Sequence, residues 1–483
     1  MTDHFHTIVI GAGSGGLTVA YGLASLGRRV ALIEARHVGG DCTNVGCVPS
    51  KMLIHLAGQR GSDATTVFAE VRRRRDALRA QETQEFGAVA NLSLIIGQAR
   101  IVAPHQVAVA LPHGSERILT ARHIVVATGT RPRLLTVPGL PAERALTNER
   151  IFEIDHTPCH LAIIGGGAIG VELAFAFRNL GSRVSIIDIA PRVLTRYPPE
   201  ASRAIEESLR TRGVALHLNT RVDSYDEAAH TLRIECAGQT TSLDEVDAVL
   251  IAVGRERNVE GLGLEKAGVR VTPRDGIVTD AYGRTSAPNI FAIGDVTATS
   301  AFTHSANAQG RRVVQRIAFP WLPARDPEPL YPGVVFSDPE VATVGLSPQQ
   351  IAQRYHPHLI KRIFINLATQ TDRGYTDDVQ QGFIIVDAIR LTGRILGVTI
   401  VAPKASEMVS FFTLAIQESI SLYRLYRIVY PYPTFSSGIQ KVADTFLRDT
   451  LTGLRHELGT YLRYRLANPR GAIGSALEGA VVN

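Results

Sequence analysis

One pattern occurs twice in this chain and fixes most of what it can fold into. Thr7–Ile10 is a short β-type run that passes directly into Gly11-Ala12-Gly13-Ser14-Gly15-Gly16. A helical spacing of Leu17, Ala20, Leu23 and Ala24 follows, then a second apolar run, Arg29–Ile33, closed by Glu34. The same order returns as Leu161–Ile164, Gly165-Gly166-Gly167-Ala168-Ile169-Gly170, Val171–Ala174 and Val184–Ile187, closed by Asp188. In each copy the first glycine (Gly11, Gly165) permits a tight turn. The second (Gly13, Gly167) lets a pyrophosphate approach the backbone, and the third (Gly16, Gly170) lets helix and strand pack closely. The closing acid stands eighteen positions after the third glycine both times, placed to accept hydrogen bonds from ribose hydroxyls. Two complete units predict two bound dinucleotides rather than a solenoid. An acid at the end of the second favours NAD over NADP, with Arg192 close enough to compete.

The intervening segments fill in an α/β chain. Ile124–Gly129 predicts a buried strand ending in a small-residue turn, Thr128-Gly129, where a cofactor can pass close to the backbone. Ala248–Gly254 repeats that arrangement, and Thr285–Asp295 predicts a strand ending on Asp295, suited to a ribityl or ribose hydroxyl. Leu92–Ile96 and Gln106–Ala110 read as paired strands, and the stretch up to residue 80 as helix, with Arg72–Arg75 on a solvated face. Residues 319–332 hold five prolines and read as a linker; beyond them Gly382–Val386 and Ile395–Val401 predict an antiparallel sheet with flanking helices.

Chemistry concentrates in Gly39-Gly40-Asp41-Cys42-Thr43-Asn44-Val45-Gly46-Cys47-Val48-Pro49-Ser50-Lys51. Pro49 suits the first turn of a helix, so Cys47 falls at a helix N-terminus, where the dipole favours a thiolate, and Lys51 adds charge one turn on. The four residues between the cysteines can loop back to disulfide geometry. A redox disulfide is the favoured reading; a zinc half-site or two buried core thiols are the alternatives. No metal site is expected elsewhere.

Four cysteines in 483 residues do not make an extracellular disulfide scaffold, which favours a reducing compartment and a cytoplasmic location. The chain enters a strand by Thr7, leaving no room for a cleavable leader, and residues 8–27 are broken by six glycines, so no membrane span is expected there. A net charge of +6 has no nucleic-acid motif beside it, and nucleic acid is not expected as a partner.

Two nucleotide fingerprints around a Cys-x4-Cys pair, closed by TSAPNIFAIGD, resemble the flavin-dependent pyridine nucleotide–disulfide oxidoreductases, over roughly residues 5–450. That family includes glutathione reductase, dihydrolipoamide dehydrogenase and mercuric reductase. The resemblance implies an FAD domain (1–150, continued at 281–326), an NAD(P) domain (151–280) and a C-terminal α+β dimerisation domain (327–450), with a basic extension at 451–483. It implies FAD on Gly11, Gly13, Gly16, Glu34, Thr128, Gly129 and Asp295, and NAD(P)H, with NADH favoured, on Gly165, Gly167, Gly170, Asp188 and Gly254. It implies a homodimer whose active sites are each completed by the other subunit. Cys47 becomes the thiolate facing the flavin, Cys42 the interchange thiol, and Lys51 and Glu172 an ion pair beside the flavin. His304 falls near the start of a helix aimed at the flavin.

The pattern departs from disulfide reductases near the C-terminus, where they carry His-Pro-Thr with a Glu five residues after the His. Here Tyr432 replaces the His and Ser437 the Glu. A phenol with a reference pKa of about 10 is a poor proton shuttle at neutral pH. Tyrosine at this point resembles mercuric reductases, although no cysteine follows Cys236. The favoured reading is an FAD enzyme passing electrons from NADH through Cys42 and Cys47 to a metal ion, a quinone or another thiophilic electrophile. A dihydrolipoamide dehydrogenase acting on a lipoyl protein and a low-turnover flavin redox subunit are the alternatives. In the extension, Leu447, Leu451, Leu454, Leu458, Leu462 and Leu466 keep a helical spacing among arginines. A helix packed on its own domain or a partner is favoured over one lying on a membrane surface.

Overall fold

The computed structural model describes residues 3–59, 61, 63–274, 276–298, 301–322 and 330–467, with side chains as far as 464. Part of the proline-rich stretch, residues 323–329, lies outside these, as do the Leu466 side chain and the chain from 468.

The first glycine unit folds as β1 (Asp3–Ile10), α1 (Ser14–Ser25) and β2 (Val30–Glu34). After it come α2 (Gly40–Asn44), α3 (Cys47–Ala57), α4 (Ala64–Gly87), β3 (Leu92–Ile96), β4 (Gln98–Ala103), β5 (Gln106–Ala110) and β6 (Glu116–Val126). β3, β2, β1 and β6 lie side by side and parallel, and Ile290–Ala292 adds a fifth parallel strand on the end of β6. β4 and β5 form an antiparallel hairpin against the first half of β6. The expected pairing of Leu92–Ile96 with Gln106–Ala110 is therefore wrong. α4 carries the chain back over the sheet, so β3 returns parallel to β2, with Leu92 opposite Val30, as strand–helix–strand crossovers do.

The second unit repeats this plan. His160–Ile164, α5 (Ala168–Asn179), Arg183–Ile187, α6 (Pro199–Thr211) and Ala215–His217 build a parallel sheet completed by Ala248–Ile251 and Ala145–Leu146. A three-stranded meander, Thr220–Leu243, stands where the hairpin of the first unit stands. Of Thr285–Asp295 only Ile290–Ala292 is strand. The Thr285 hydroxyl donates to the Ala287 and Ile290 carbonyls and turns the chain, and Asp295 sits in a short 3-10 turn. α7 (Thr303–Ala318) then packs along α1.

Beyond the prolines an antiparallel sheet runs Gly333–Val335, Glu340–Gly345, Ile395–Ala402, Phe383–Ile389, Ile360–Asn366. Its central strand Ile395–Ala402 is buried throughout. Val398, Ile400 and Ala402 pack under the helices Ala405–Gln417 and Ser437–Thr452, while Val401 joins a core shared with α5 and α6.

Two charged segments behave differently from each other. Arg73 and Arg74 reach solvent and pair with Glu70, as expected of a solvated face. Arg75 does not: α4 turns it inward against Asp76 and Glu153, and Arg72 donates to the Ile154 carbonyl and pairs with Asp155. Four consecutive residues span more than a full turn of helix, so one of them must face the protein. The extension forms the helix Leu454–Ala467, which packs on its own domain. Buried Glu457 accepts from Arg390 at 2.8 Å and Lys361 at 3.2 Å. Among the described residues no helix is long and apolar enough to cross a membrane.

The glycines within each turn differ in what they tolerate. A Cβ on Gly16 would lie 1.9 Å from the Gly11 carbonyl oxygen, and on Gly170 2.0 Å from that of Gly165. A Cβ on Gly13 meets only the Gly40 Cα, at 3.8 Å, and on Gly167 nothing within 4 Å. Gly16→Ala is therefore expected to destabilise the flavin-free protein by about 1–3 kcal/mol or more. Gly13→Ala is expected to leave the flavin-free Tm within a few degrees while weakening FAD retention. Thermal denaturation with and without FAD checks both; equal loss of flavin-free stability in the two variants would show that the turn, not the ligand, needs Gly13.

Candidate active site

Each turn closes on its own carboxylate. Glu34 accepts from the Ala12 and Arg36 amides, both at 2.8 Å, and Asp188 from the Gly166 and Ala190 amides at 2.6 and 2.8 Å. Every carboxylate oxygen keeps a further acceptor site for a ribose hydroxyl. Arg192 is turned away from this task. Its guanidinium donates to the carbonyls of Thr195 and Tyr197, each at 2.9 Å, and to the Ser202 hydroxyl.

A cavity of about 860 Å³ runs from Gly13 and Glu34 past Thr128, Gly129 and Asp295 to Cys42, Cys47 and Lys51. Its size suits an extended cofactor. The open space over Gly13, the α1 N-terminus and the acids at either end are the donor and acceptor set that FAD needs, so the residues present fit that group. Burial pushes the Asp295 carboxyl upward, opposed by Arg255 and by Thr130, whose hydroxyl lies 3.4 Å away.

The two cysteines come from adjoining helices. Cys42 lies in α2 and Cys47 is the first residue of α3, with Gly46 allowing a close pass: a Cβ there would sit 2.8 Å from the Asp41 carbonyl oxygen. Both are thiols in this structure, and the free surface of Cys47 opens into the cavity. The Cys42 thiol donates to the Cys47 sulfur. This bond, then Lys51 and the Thr303 hydroxyl 3.6 Å away, lower the Cys47 pKa to about 6 against the opposing effect of burial. The same bond and burial push Cys42 up, so at neutral pH the pair carries one thiolate, on Cys47.

Lys51, one turn along α3, meets Glu172 of α5 at 2.8 Å. Glu172 is buried, and its second oxygen accepts from the Phe336 amide at 2.9 Å. The Lys51 ammonium also lies 4.6 Å from the centre of the Phe336 ring. Removing the lysine would leave a buried carboxylate unpaired, which typically costs about 3–5 kcal/mol.

The fold thus brings Gly11, Gly13, Glu34, Cys42, Cys47, Lys51, Thr128, Gly129, Glu172 and Asp295 onto one cavity. Gly16 lies behind its wall, and Gly165, Gly167, Gly170, Asp188 and Gly254 belong to the second nucleotide unit. Two expected residues are not on the cavity. His304 stacks on Phe302, 5.1 Å between ring centres, bonds the Pro332 carbonyl at 2.9 Å, and has its pKa lowered by burial. Tyr432 is 75% exposed; a hydrogen bond to Asp372 pushes its phenol up, and the Ser437 hydroxyl donates to the Thr434 carbonyl at 2.6 Å. Three residues at the site were given no role from sequence: Thr303, Phe336 and Arg255. Arg255 donates to the Thr130 hydroxyl at 2.7 Å and pairs with Asp41, beside Cys42. Its position directly after Gly254 was the one available signal. Among the described residues no group of three or more His, Cys, Asp or Glu is arranged to hold a metal ion.

The thiol electrostatics can be measured directly. Alkylation of the reduced protein by iodoacetamide at Cys47 is expected to rise through a midpoint near pH 6, because the thiolate is present above that pKa and lost below it. Lys51→Met should move the midpoint upward. A midpoint at the ordinary cysteine value, about 8.5, would refute the charge assignment.

The sequence matches the family model of the pyridine nucleotide-disulphide oxidoreductases over residues 5–310 and that of their dimerisation domain over 331–443. It is 32% identical to a dihydrolipoyl dehydrogenase of Chlamydia trachomatis over 90% of this chain and 95% of that one. It is 30% identical to a mercuric reductase of Streptomyces lividans over 91% and 97%. Among solved structures, the Cu(II) complex of the HOCl-induced flavoprotein disulfide reductase RclA from Escherichia coli superposes with a TM-score of 0.83 at 27% identity, covering 92% of this chain and 100% of that one. With its twin dinucleotide turns, its cysteine pair on one cavity and its dimerisation domain, the chain belongs to the pyridine nucleotide-disulphide oxidoreductases and is a flavoprotein enzyme that uses FAD and NAD(P)H.

Proposed function

We propose that this enzyme takes electrons from NADH and delivers them, through Cys42 and Cys47, to a metal ion or another thiophilic acceptor that leaves no thiolate to protonate. The observation that carries this reading is the state of Tyr432 and Ser437. Regenerating a thiol from a disulfide substrate needs an acid tuned near neutral pH. Tyr432 is bonded to a carboxylate that makes its phenol a weaker acid still, and Ser437 is spent on its own backbone. FAD, which Gly11, Gly13, Glu34, Thr128, Gly129 and Asp295 would hold, would supply the two-electron chemistry between the nicotinamide and the disulfide. The protein's own residues do the rest. Lys51 and Thr303 hold the negative charge of Cys47, Cys42 keeps its proton until an acceptor arrives, and Glu172 fixes Lys51. Oxidising the Cys42 thiol and the Cys47 thiolate to a disulfide releases two electrons and one proton; the proton leaves to solvent, and one mercuric ion or two cupric ions take up the electrons. Tyr432 is exposed in the single subunit, on the domain through which this family dimerises, free to line the second subunit's cleft. The mercuric reductase among the relatives and the copper complex of RclA support the metal-ion reading.

A second reading is a dihydrolipoamide dehydrogenase with an altered proton route, favoured by the 32% identity to the chlamydial dihydrolipoyl dehydrogenase. Turnover with mercuric and cupric ions beside lipoamide and glutathione disulfide separates the two. The metal ions are expected to support turnover, with low rates on both disulfides. Tyr432→Phe should slow the metal reaction by about tenfold, the worth of one hydrogen bond, without changing flavin reduction by NADH. Fast lipoamide turnover at neutral pH, unaltered in Tyr432→Phe, would overturn the proposal.

NADH rather than NADPH is the proposed donor. Asp188 would repel a ribose phosphate, and Arg192, the cation nearest in sequence, is occupied by its own loop. The kcat/KM ratio is expected to favour NADH by at least about tenfold, and Asp188→Ala to erode it; an NADPH preference in the wild type would show that another cation governs the pocket.

A further inference from the structure

We propose that the C-terminal helix Leu454–Ala467 is a docking face for an anionic lipid surface. Its inner side is fixed to the protein: Glu457 and Tyr461 are buried, Glu457 on Lys361 and Arg390, and Tyr464 stacks on His356 and His358 at 4.2 and 4.8 Å. Beside that buried side runs a stripe of leucines left in the open, Leu454, Leu458 and Leu462, 44–48% exposed; Leu451, in the preceding helix Ser437–Thr452, is 60% exposed. Steps of four residues advance about 40° around a helix, so the three leucines form one narrow band. On its far side stand Arg455, His456 and Arg463, all exposed.

The charge on this helix selects the occupant. Its one acid, Glu457, is buried and consumed by two cations, so the outward surface offers leucines and positive charge with no carboxylate. Asp449, just before the helix, is already paired with Arg448. A second copy laid along the leucine band would bring arginine against arginine with no acid on either helix to relieve it. A nucleic acid would answer the cations and leave the leucines in water. An anionic bilayer takes both, accepting the leucines between its acyl chains and the arginines at its phosphates. The buried Glu457 clamp holds the helix flat on its domain, the attitude such a contact requires.

The test is co-sedimentation of the full-length holoenzyme with vesicles of phosphatidylcholine alone or mixed with phosphatidylglycerol. Binding is expected on the mixed vesicles, weakened by salt. Arg455→Glu with Arg463→Glu should lower it by at least about tenfold, and serine at the three leucines should abolish it. Flavin content and the rate of flavin reduction by NADH report that each variant is folded. The arginine pair, fully on the solvent side, decides the matter if the leucine variant fails to fold. No binding, or equal binding to neutral vesicles, would overturn the proposal. So would light scattering that shows an assembly larger than a dimer, without lipid, which the leucine variant dissolves; the second copy would then be the occupant.

Discussion

The carboxylate of Glu172 is the point on which three parts of this chain converge. It lies in α5 of the second nucleotide unit, takes the ammonium of Lys51 from the cysteine-bearing helix of the first, and accepts from the Phe336 amide, just after the strand Gly333–Val335 of the C-terminal sheet. A buried ion pair adds little net stability, but breaking one is costly, so it acts mainly as a selector of arrangement. Only one docking of the three parts satisfies both oxygens of Glu172. The pair is also polarised with respect to the chemistry. Lys51 lowers the Cys47 pKa more than Glu172 raises it, so the same contact that registers the domains leaves net positive potential at the thiol.

What was legible in the sequence had local causes. Gly16 and Gly170 must be glycine because a carbonyl of their own turn occupies the space of a Cβ, and the chain that makes the clash is five residues away. Cys47 reads as a helix-start thiol because Pro49 and Lys51 lie within one turn of it. What was missed depends on packing between distant segments. Thr303 reaches Cys47 from 256 positions away, because α7 lies against α1 closely enough that a Cβ on Gly310 would be 3.0 Å from the Gly15 carbonyl. Phe336 and Arg255 arrive in the same manner, from the end of the strand Gly333–Val335 and from the second unit. The misassigned partner of Leu92–Ile96 has a similar cause. Two apolar runs with a short gap look like a hairpin, but the parallel slot beside β2 is offered by a helix crossover that a local pattern does not report.

The duplication goes deeper than the motif, and its differences are where function divides. The four central parallel strands of both sheets run in the same order, and each closing acid is clamped by one amide of its glycine turn and one amide two residues beyond the acid: Ala12 and Arg36 for Glu34, Gly166 and Ala190 for Asp188. The loops beyond them diverge. After Glu34 the chain runs into the cavity wall and then into the cysteine helices, so Glu34 and the redox pair line one cavity. After Asp188 it curls into a turn stitched by Arg192, whose guanidinium is spent on the Thr195 and Tyr197 carbonyls and not on the Asp188 carboxylate.

The surroundings of Tyr432 show why a tyrosine in the place of a histidine is more than a weaker copy of it. A phenol becomes a useful acid near neutral pH only where a cation or a donor stabilises its anion. Here the neighbour is Asp372, whose bond and charge act in the opposite direction. Arg373, the adjacent cation, pairs with Asp377 at 2.8 Å and lies over the Phe435 ring at 5.6 Å, so it is not spare. The local charge therefore holds the hydroxyl neutral, an acceptor and donor of hydrogen bonds that does not release its proton. A hydroxyl in that state is a poor acid for a reaction that ends in a bare thiolate. Under the proposed function, this one side chain's electrostatics narrow the acceptor more than the nucleotide-binding machinery does, which the enzyme shares with the rest of its family.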